Sequence, residues 1–420
     1  MLCALVALTA QAAEITRVAS SFDDNKPFGA FFDINFLRTQ DRAKITREWY
    51  QNGTNQDVTE LRYVMLDTRL NLDAHIGIWQ DVEIHYNLPI VFQQDRTWNF
   101  AKDSGPGVTS IYRNCLDAAG NVSGADCAGG AGNGSGKLFT VGDPSRSYRN
   151  GLGDMTFGIA WAAFNQARDD TKPTWVLGFD YTAPTAALND PSVPTTGDKK
   201  GGIGDKINRY KWYTSISKRI AFADPYFQLH YTLPYQGPGY YTNCDHPSGS
   251  NMGYPQNCGN ANPWTRSNTG IQPPHVGGFI VGTELNAFEN AAMHQKIAFD
   301  IRGWVTYTSE GRYSNELSDM MGKYLYSSDY TQIGGWIGFT GHAAEFISLR
   351  AYASIAYNTE HFLTNENIGQ DTSGNGTVDI SDHPNEVNPN YDFRVDRPGR
   401  RFRISEETIF TVMCTASFNF

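Results

Sequence analysis

The chain closes on residues 409–420, which read I-F-T-V-M-C-T-A-S-F-N-F. Phe410, Val412, Cys414, Ala416, Phe418 and Phe420 share one parity. Thr411, Thr415, Ser417 and Asn419 share the other, with Met413 the exception. Successive side chains of a β-strand point to opposite faces, so this stretch predicts a strand with one apolar and one polar face. A soluble protein gains little from ending on such a strand. A membrane barrel needs one, because its last strand closes the sheet against the first and turns its apolar face to lipid.

The same period runs through the chain. Between residues 64 and 78, Val64, Leu66, Leu70, Leu72, Ala74, Ile76 and Ile78 alternate with Asp67, Arg69, Asn71, Asp73 and His75. At roughly 3.3 Å per residue this exceeds what a tilted membrane strand of about 9–11 residues requires. A tight turn at Trp79-Gln80-Asp81 then reverses the chain. Val82, Ile84, Tyr86, Leu88, Ile90 and Phe92 continue the apolar face; Glu83, His85 and Asn87 continue the polar one. Pro89 lacks a ladder donor and predicts a local break or bulge. Further strands are expected near 29–39, 152–164, 174–182, 209–220, 226–235, 276–287, 296–308, 330–340 and 347–358. Long loops are expected at 41–60, 94–150, 184–208, 236–275, 309–329 and 359–402, with short turns between the other pairs. The expectation is therefore all-β: a single antiparallel transmembrane barrel of about 12 strands, or 14 if a loop hides a hairpin, filling residues 28–420.

Composition agrees. Aromatic residues are 13% of the chain, there are 41 glycines, and charged residues are only 19%. The net charge of −10 argues against nucleic acid as a partner. Residues 1–12 read as the apolar part of a secretory signal without a basic start, and 13–27 as a short periplasmic or lumenal lead. After them no apolar run reaches transmembrane-helix length, so only a closed barrel satisfies the backbone in a bilayer. Cys115 and Cys127 share one Gly/Asn-rich stretch, and Cys244 and Cys258 another. In an exported chain these predict two local disulfides. Cys414 falls on the lipid-facing parity.

Residues 409–420 resemble the terminal assembly signal of outer-membrane barrels. Three further pieces carry a second resemblance: D-V-E-I-H-Y-N-L-P-I-V-F at 81–92, N-G-L-G-D-M-T-F-G-I-A-W at 150–161 with G-F-D-Y-T-A-P-T at 178–185, and I-A-F-A-D-P-Y-F-Q-L-H-Y at 220–231. They resemble the outer-membrane transporter barrels of the phenol meta-pathway degradation type, linked more distantly to hydrophobic-compound uptake channels. The likeness covers residues of about 80 to 310. It implies a Gram-negative outer-membrane location and passive uptake of small organic solutes. The long cysteine-bearing loops are not part of that pattern.

Two constellations carry possible chemistry. D-T-S-G-N-G-T-V-D-I-S-D at 371–382 has the spacing of an EF-hand-type calcium loop, with Gly376 at the turn. Asp371, Ser373, Asn375, Thr377, Asp379 and Asp382 would be its ligands; a metal-free turn-rich loop is the other reading. The second is lumenal. If the turn centres on Gln80, His75 faces His85, with Glu83 and Asp73 on the same side. These could hold a transition metal, or simply form a hydrogen-bonded barrel wall, which is the expectation. Parity also points Asp67, Arg69, Asp154, Asp180, Lys211, Glu284, Asp300, Arg302, Arg350, Arg403 and Glu407 inward. No G-x-S-x-G, H-E-x-x-H or phosphate loop appears, and no Ser stands two residues from His85 or His230, so catalysis is not expected.

The functional expectation is a monomeric barrel, with lipid around it, for passive diffusion of an unidentified small solute. The alternative is a non-conducting surface barrel whose disulfide-tied loops bind a ligand or partner.

Overall fold

The computed structural model describes residues 13–22, 27–51, 54–101, 146–193, 195, 200–246, 252–259, 263–290, 293, 295–344, 346–379 and 381–420. The first strands are long: β1 (Ala30–Gln51), β2 (Thr54–Trp79) and β3 (Val82–Phe100). β4 (Arg146–Leu152) and β5 (Met155–Phe164) follow as two halves of one stave, both pairing with β3. Then come β6 (Thr174–Ala183), β7 (Ile207–Ser217), β8 (Ala223–Gln236), β9 (Val276–Asn290) and β10 (Gln295–Thr308). A separate hairpin, β11 (Gly311–Tyr313) and β12 (Leu325–Ser327), precedes β13 (Tyr330–Ala344) and β14 (Ile347–Asn358). The short β15 (His361–Phe362) and the closing β16 (Phe402–Asn419) complete the chain. β1 pairs antiparallel with both β2 and β16, so the sheet closes as a barrel of twelve staves.

The exterior is the apolar face that the alternation predicts. Ile76, Ile84, Phe157, Ile159, Trp161, Leu177, Phe227, Leu229, Ile333, Ile337, Leu349, Ile355, Phe410 and Val412 all stand exposed on it. Their neighbours in sequence turn inward, among them Asp67, Glu83, Asp300 and Arg350, all buried. Exposed apolar side chains in that number suit hydrocarbon and not water. Cys414 is exposed on the same face.

At one end the connections are short; at the other they are long, except between β1 and β2, whose ends are close in sequence. β1 begins and β16 ends at the short-turn end, where the Phe420 N–H donates to the Ala30 carbonyl at 2.9 Å.

Two expected loops are largely strand. Residues 41–60 are not a long loop, because β1 runs to Gln51 and β2 restarts at Thr54. The expected loop from 94 likewise begins as strand, to Phe100. Here the pattern inverts. Arg42 and Arg62 face out into water, while Ala43, Ile45, Leu61 and Tyr63 are buried inside. A strand that continues beyond the lipid belt exchanges its polar and apolar faces, and its period then looks like polar loop.

Bulges invert parity as well. Between Val91 and Gln93 the β2–β3 register shifts, and the inward set changes from Glu83, His85 and Val91 to Gln94, Arg96 and Trp98. β16 shifts near Glu406, whose φ is 51°. Before that point Phe402 and Ile404 are the inward residues. Arg403, expected inside, therefore lies on the other face and pairs with Asp57 at 3.1 Å. Pro89 breaks the ladder in its neighbour: β3 pairs with β5 as far as Asn87–Thr156 and with β4 from Ile90–Leu152. The Gly153 N–H bridges the gap to the Pro89 carbonyl at 2.8 Å.

Candidate functional site: a lumen closed at both ends

At the short-turn end, residues 13–21 run inside the barrel. A single 3-10 turn, Glu14–Thr16, starts the segment. Its contacts reach six staves. The Glu14 N–H donates to Glu284 Oε1 at 2.6 Å, and the Arg350 guanidinium donates to Glu14 Oε1 at 2.6 Å. The Thr16 and Ser217 hydroxyls are 2.6 Å apart. Arg17 donates to Asn419 and lies 3.7 Å over the Phe31 ring. The Ala19 N–H donates to Glu83 Oε2 at 2.6 Å. Residues 13–21 are the part of the expected 13–27 lead that lies within the lumen.

At the long-loop end, the connection from β10 to β13 folds into the barrel mouth. Its one-turn helix α1 (Ser318–Met321) carries Leu317, Met320 and Met321 into a buried cluster with Ile45, Leu61, Trp98, Leu363, Val395, Phe402 and Ile404. Asp319 fixes the turn. It accepts from Arg149 at 2.5 Å and from the Ser147 hydroxyl, with Arg96 3.6 Å away. Burial pushes the Asp319 carboxyl up, but Arg96 and Arg149 outweigh it and hold the group below the usual carboxylate range. The loop after β8 and the loop after β14 lie over this helix. Asn257 donates to the Val387 carbonyl at 2.6 Å, Trp264 to the Asn385 carbonyl at 2.8 Å, and Arg312 makes a two-pronged pair with Glu366 at 2.6 and 2.7 Å. The expected disulfide Cys244–Cys258 is present in the first of these loops. Cys115 and Cys127 lie outside the described residues, as do residues 1–12.

Among the described residues, the lumen between these two segments holds two cavities of note. The first, of about 370 Å³, has a polar lining that includes Asp73, His75, His85, Asp180, Arg209 and Lys211. The second, of about 300 Å³, is lined by Leu37, Ile280, Trp304, Trp336, Tyr352 and Met413 among others. Trp336 and Tyr352 stack at 4.6 Å between ring centres. The Arg302 guanidinium lies 3.5 Å over Trp336 and pairs with Asp300 at 2.6 Å. Close approach to the wall demands glycine beneath these rings. A Cβ on Gly334 would stand 2.2 Å from the Trp304 ring, and one on Gly158 1.9 Å from His85 Nε2.

The residues expected to line the lumen take these positions. Arg69 donates both prongs to Asp67, at 2.6 and 2.7 Å. Asp73 accepts from Asn35 and Asn87. His75 sits opposite His85, as the turn at Gln80 requires, with Glu83 between them. Arg350 joins Asp33 to Glu14, each at 2.6 Å. Among the described residues, His75, Glu83 and His85 are the His/carboxylate group whose ligand atoms converge, all within 4.8 Å.

The 371–382 loop stands at the surface of the cap. Asp371 accepts the N–H groups of Gly374 and Gly376 at 2.6 and 2.7 Å, Asn375 accepts that of Thr377, and Asp379 accepts those of Ser381 and Asp382. Glu386, outside the twelve-residue motif, ties the loop shut by accepting from Ser373 at 2.7 Å and Asp379 at 3.1 Å.

The aromatic wall was not singled out in the sequence, although the signal exists: Trp304 shares the parity of Asp300 and Arg302. The Asp319 anchor and the lumenal contacts of Glu14 and Arg17 had no local signal at all.

No protein-family model matches the chain, and no curated protein does. Solved structures do. An outer-membrane channel from Pseudomonas putida F1 covers 92% of this chain and 96% of its own, at 10% identity and a TM-score of 0.41. A FadL homologue from Pseudomonas aeruginosa covers 93% and 90%, at 9% identity and a TM-score of 0.34. The outer-membrane protease OmpT from Escherichia coli covers 96% and 100%, at 7% identity and a TM-score of 0.31. Channels and a protease thus appear together at similar distance, and the likeness does not choose between them.

Proposed function

We propose that this chain is an outer-membrane channel for passive uptake of small organic solutes, held here in a closed state. The observation that carries the reading is the interior: two cavities lie between an inner segment and an outer cap, and one of them has an aromatic wall. A purely structural barrel of twelve staves has no need of space there, since side chains alone can fill a small bore. The short turns, the start of β1 and the end of β16 face the periplasm on this reading, and the long loops face outward. The barrel works as a monomer in the outer membrane of a Gram-negative bacterium. Trp304, Trp336 and Tyr352 offer flat surfaces to an aromatic or aliphatic solute, while Asp73, Lys211 and Arg209 accommodate a polar substituent.

Planar-bilayer recording and liposome swelling test this. The intact chain is expected to conduct in brief, small events, and a variant lacking both residues 13–21 and the cap residues 314–324 to conduct steadily. If both stay silent in folded barrels, the reading fails. The interlocked loops after β8 and β14 favour the second reading, a surface barrel that binds a ligand through its cap; silence in both variants is its expected result.

A further inference from the structure

A carboxylate set between two imidazoles, with one imidazole nitrogen unsatisfied, is the feature left unused by a plain conduit. Glu83 Oε1 is 2.9 Å from His75 Nδ1 and 3.3 Å from His85 Nδ1. The other nitrogen of His85, Nε2, is 2.7 Å from Asp180 Oδ1. A carboxylate only accepts, so Nε2 carries the hydrogen in that bond. In the neutral ring Nδ1 is then a lone pair. It is buried, makes no hydrogen bond, and faces the Glu83 oxygen. Two electron-rich atoms at that distance repel one another unless a proton or a cation lies between them.

We infer that His75 Nδ1, His85 Nδ1 and Glu83 Oε1 form a binding site for a divalent transition metal of the zinc, cobalt and nickel class. The donor set is two imidazoles and one carboxylate, which suits those ions better than calcium or magnesium. The spacing suits them too: ligands about 2.0–2.1 Å from a tetrahedral metal lie about 3.3 Å from each other. All three ligand atoms are already within 4.8 Å of one another. The second sphere is in place as well. Asp180 fixes the ring of His85 through Nε2, and Lys211, 3.2 Å away, holds Asp180. His75 is held flat between Phe31, at 4.1 Å between ring centres, and His85, at 5.3 Å. His75 and His85 both border the 370 Å³ cavity, so the remaining coordination positions open toward water or solute.

The site also touches the inner closure. Glu83 Oε2 accepts the Ala19 N–H while Oε1 faces the imidazoles. A metal on Oε1 fixes the carboxylate in the orientation that seats residues 13–21. Metal occupancy and closure of the inner end are thereby linked.

The test uses the full chain, folded in detergent and free of any histidine tag, titrated with cobalt(II) and followed by its visible absorption, then competed with zinc(II). One equivalent is expected to bind with the spectrum of nitrogen and oxygen ligation. His75→Gln and His85→Gln should each abolish that signal. Asp180→Asn, which leaves the ligands in place, should weaken binding about 10–100-fold. His361→Gln, in β15, should change nothing. Folding of each variant is checked by the heat-dependent gel mobility of barrels. If His85→Gln does not fold, His75→Gln and Asp180→Asn still decide. Absence of cobalt binding to the folded chain overturns the inference, and so does binding that survives His75→Gln unchanged. Neither outcome depends on whether the barrel conducts.

Discussion

The two closures of the lumen are built on different physics. The outer cap is a small hydrophobic core in its own right: Leu317, Met320 and Met321 are fully buried against Ile45, Leu61, Phe402 and Ile404. A disulfide and a buried ionic anchor add to it. The inner segment has no comparable core. Its Val18 packs on a small cluster of Ala160, Ala162 and Val176, and the rest of the segment's hold consists of separate hydrogen bonds and ion pairs to Glu83, Ser217, Glu284, Arg350 and Asn419. An apolar core resists opening cooperatively, whereas polar contacts can be exchanged for water one at a time. On this contrast the inner end is expected to open more readily than the outer cap.

The largest expected effect lies at the cap. Asp319→Ala leaves Arg149 and Arg96 buried without their shared carboxylate and should cost the cap about 3–5 kcal/mol. Hydrogen exchange across residues 313–327 measures it; protection equal to that of the unaltered protein would erase the contrast between the two ends. Next comes Cys244→Ser, which opens a loop of 14-residue separation. On the chain-entropy model this should remove about 3 kcal/mol from the local fold. Faster proteolysis within residues 237–275, with an unchanged barrel, is the expected readout.

At the inner end, Glu14→Gln weakens the contacts to Arg350 and Arg17 by about 1.5–3 kcal/mol. Conductance should rise, and rise further at high salt, since ion pairs are screened and apolar cores are not. An unchanged conductance with an intact barrel would show that the inner segment does not gate.

The smallest effect is one of pH. Burial lifts the Asp396 carboxyl in the cap to about 7. An unfolded aspartate titrates near about 3.9, so the folded cap holds this proton more tightly. The contribution is complete below about pH 4 and is lost as pH rises through about 7. Exchange protection of residues 392–396 should fall across that window, and Asp396→Asn should flatten the profile.

Much of this was legible in the sequence. The alternation at 64–78 specifies which side chains meet lipid, and the turn at Gln80 sets His75 against His85. The Cys244–Cys258 pair followed from its shared loop. What failed did so for identifiable reasons. Above the lipid belt the strands exchange their faces, so Ile45 and Leu61 lie in a stretch that reads as polar loop. At Glu406 one extra residue turns Arg403 to the opposite side from its parity.

The sequence alone determined the barrel, because a period of two with an apolar outer set has one stable solution in a bilayer: a closed sheet. Tertiary structure alone decided what occupies the bore. Glu14 and Glu284 are 270 residues apart in the chain and Asp319 and Arg149 are 170 apart, and no local pattern encodes such encounters. They arise only when the ring of strands has closed and its interior must accommodate the charges that the alternation turned inward.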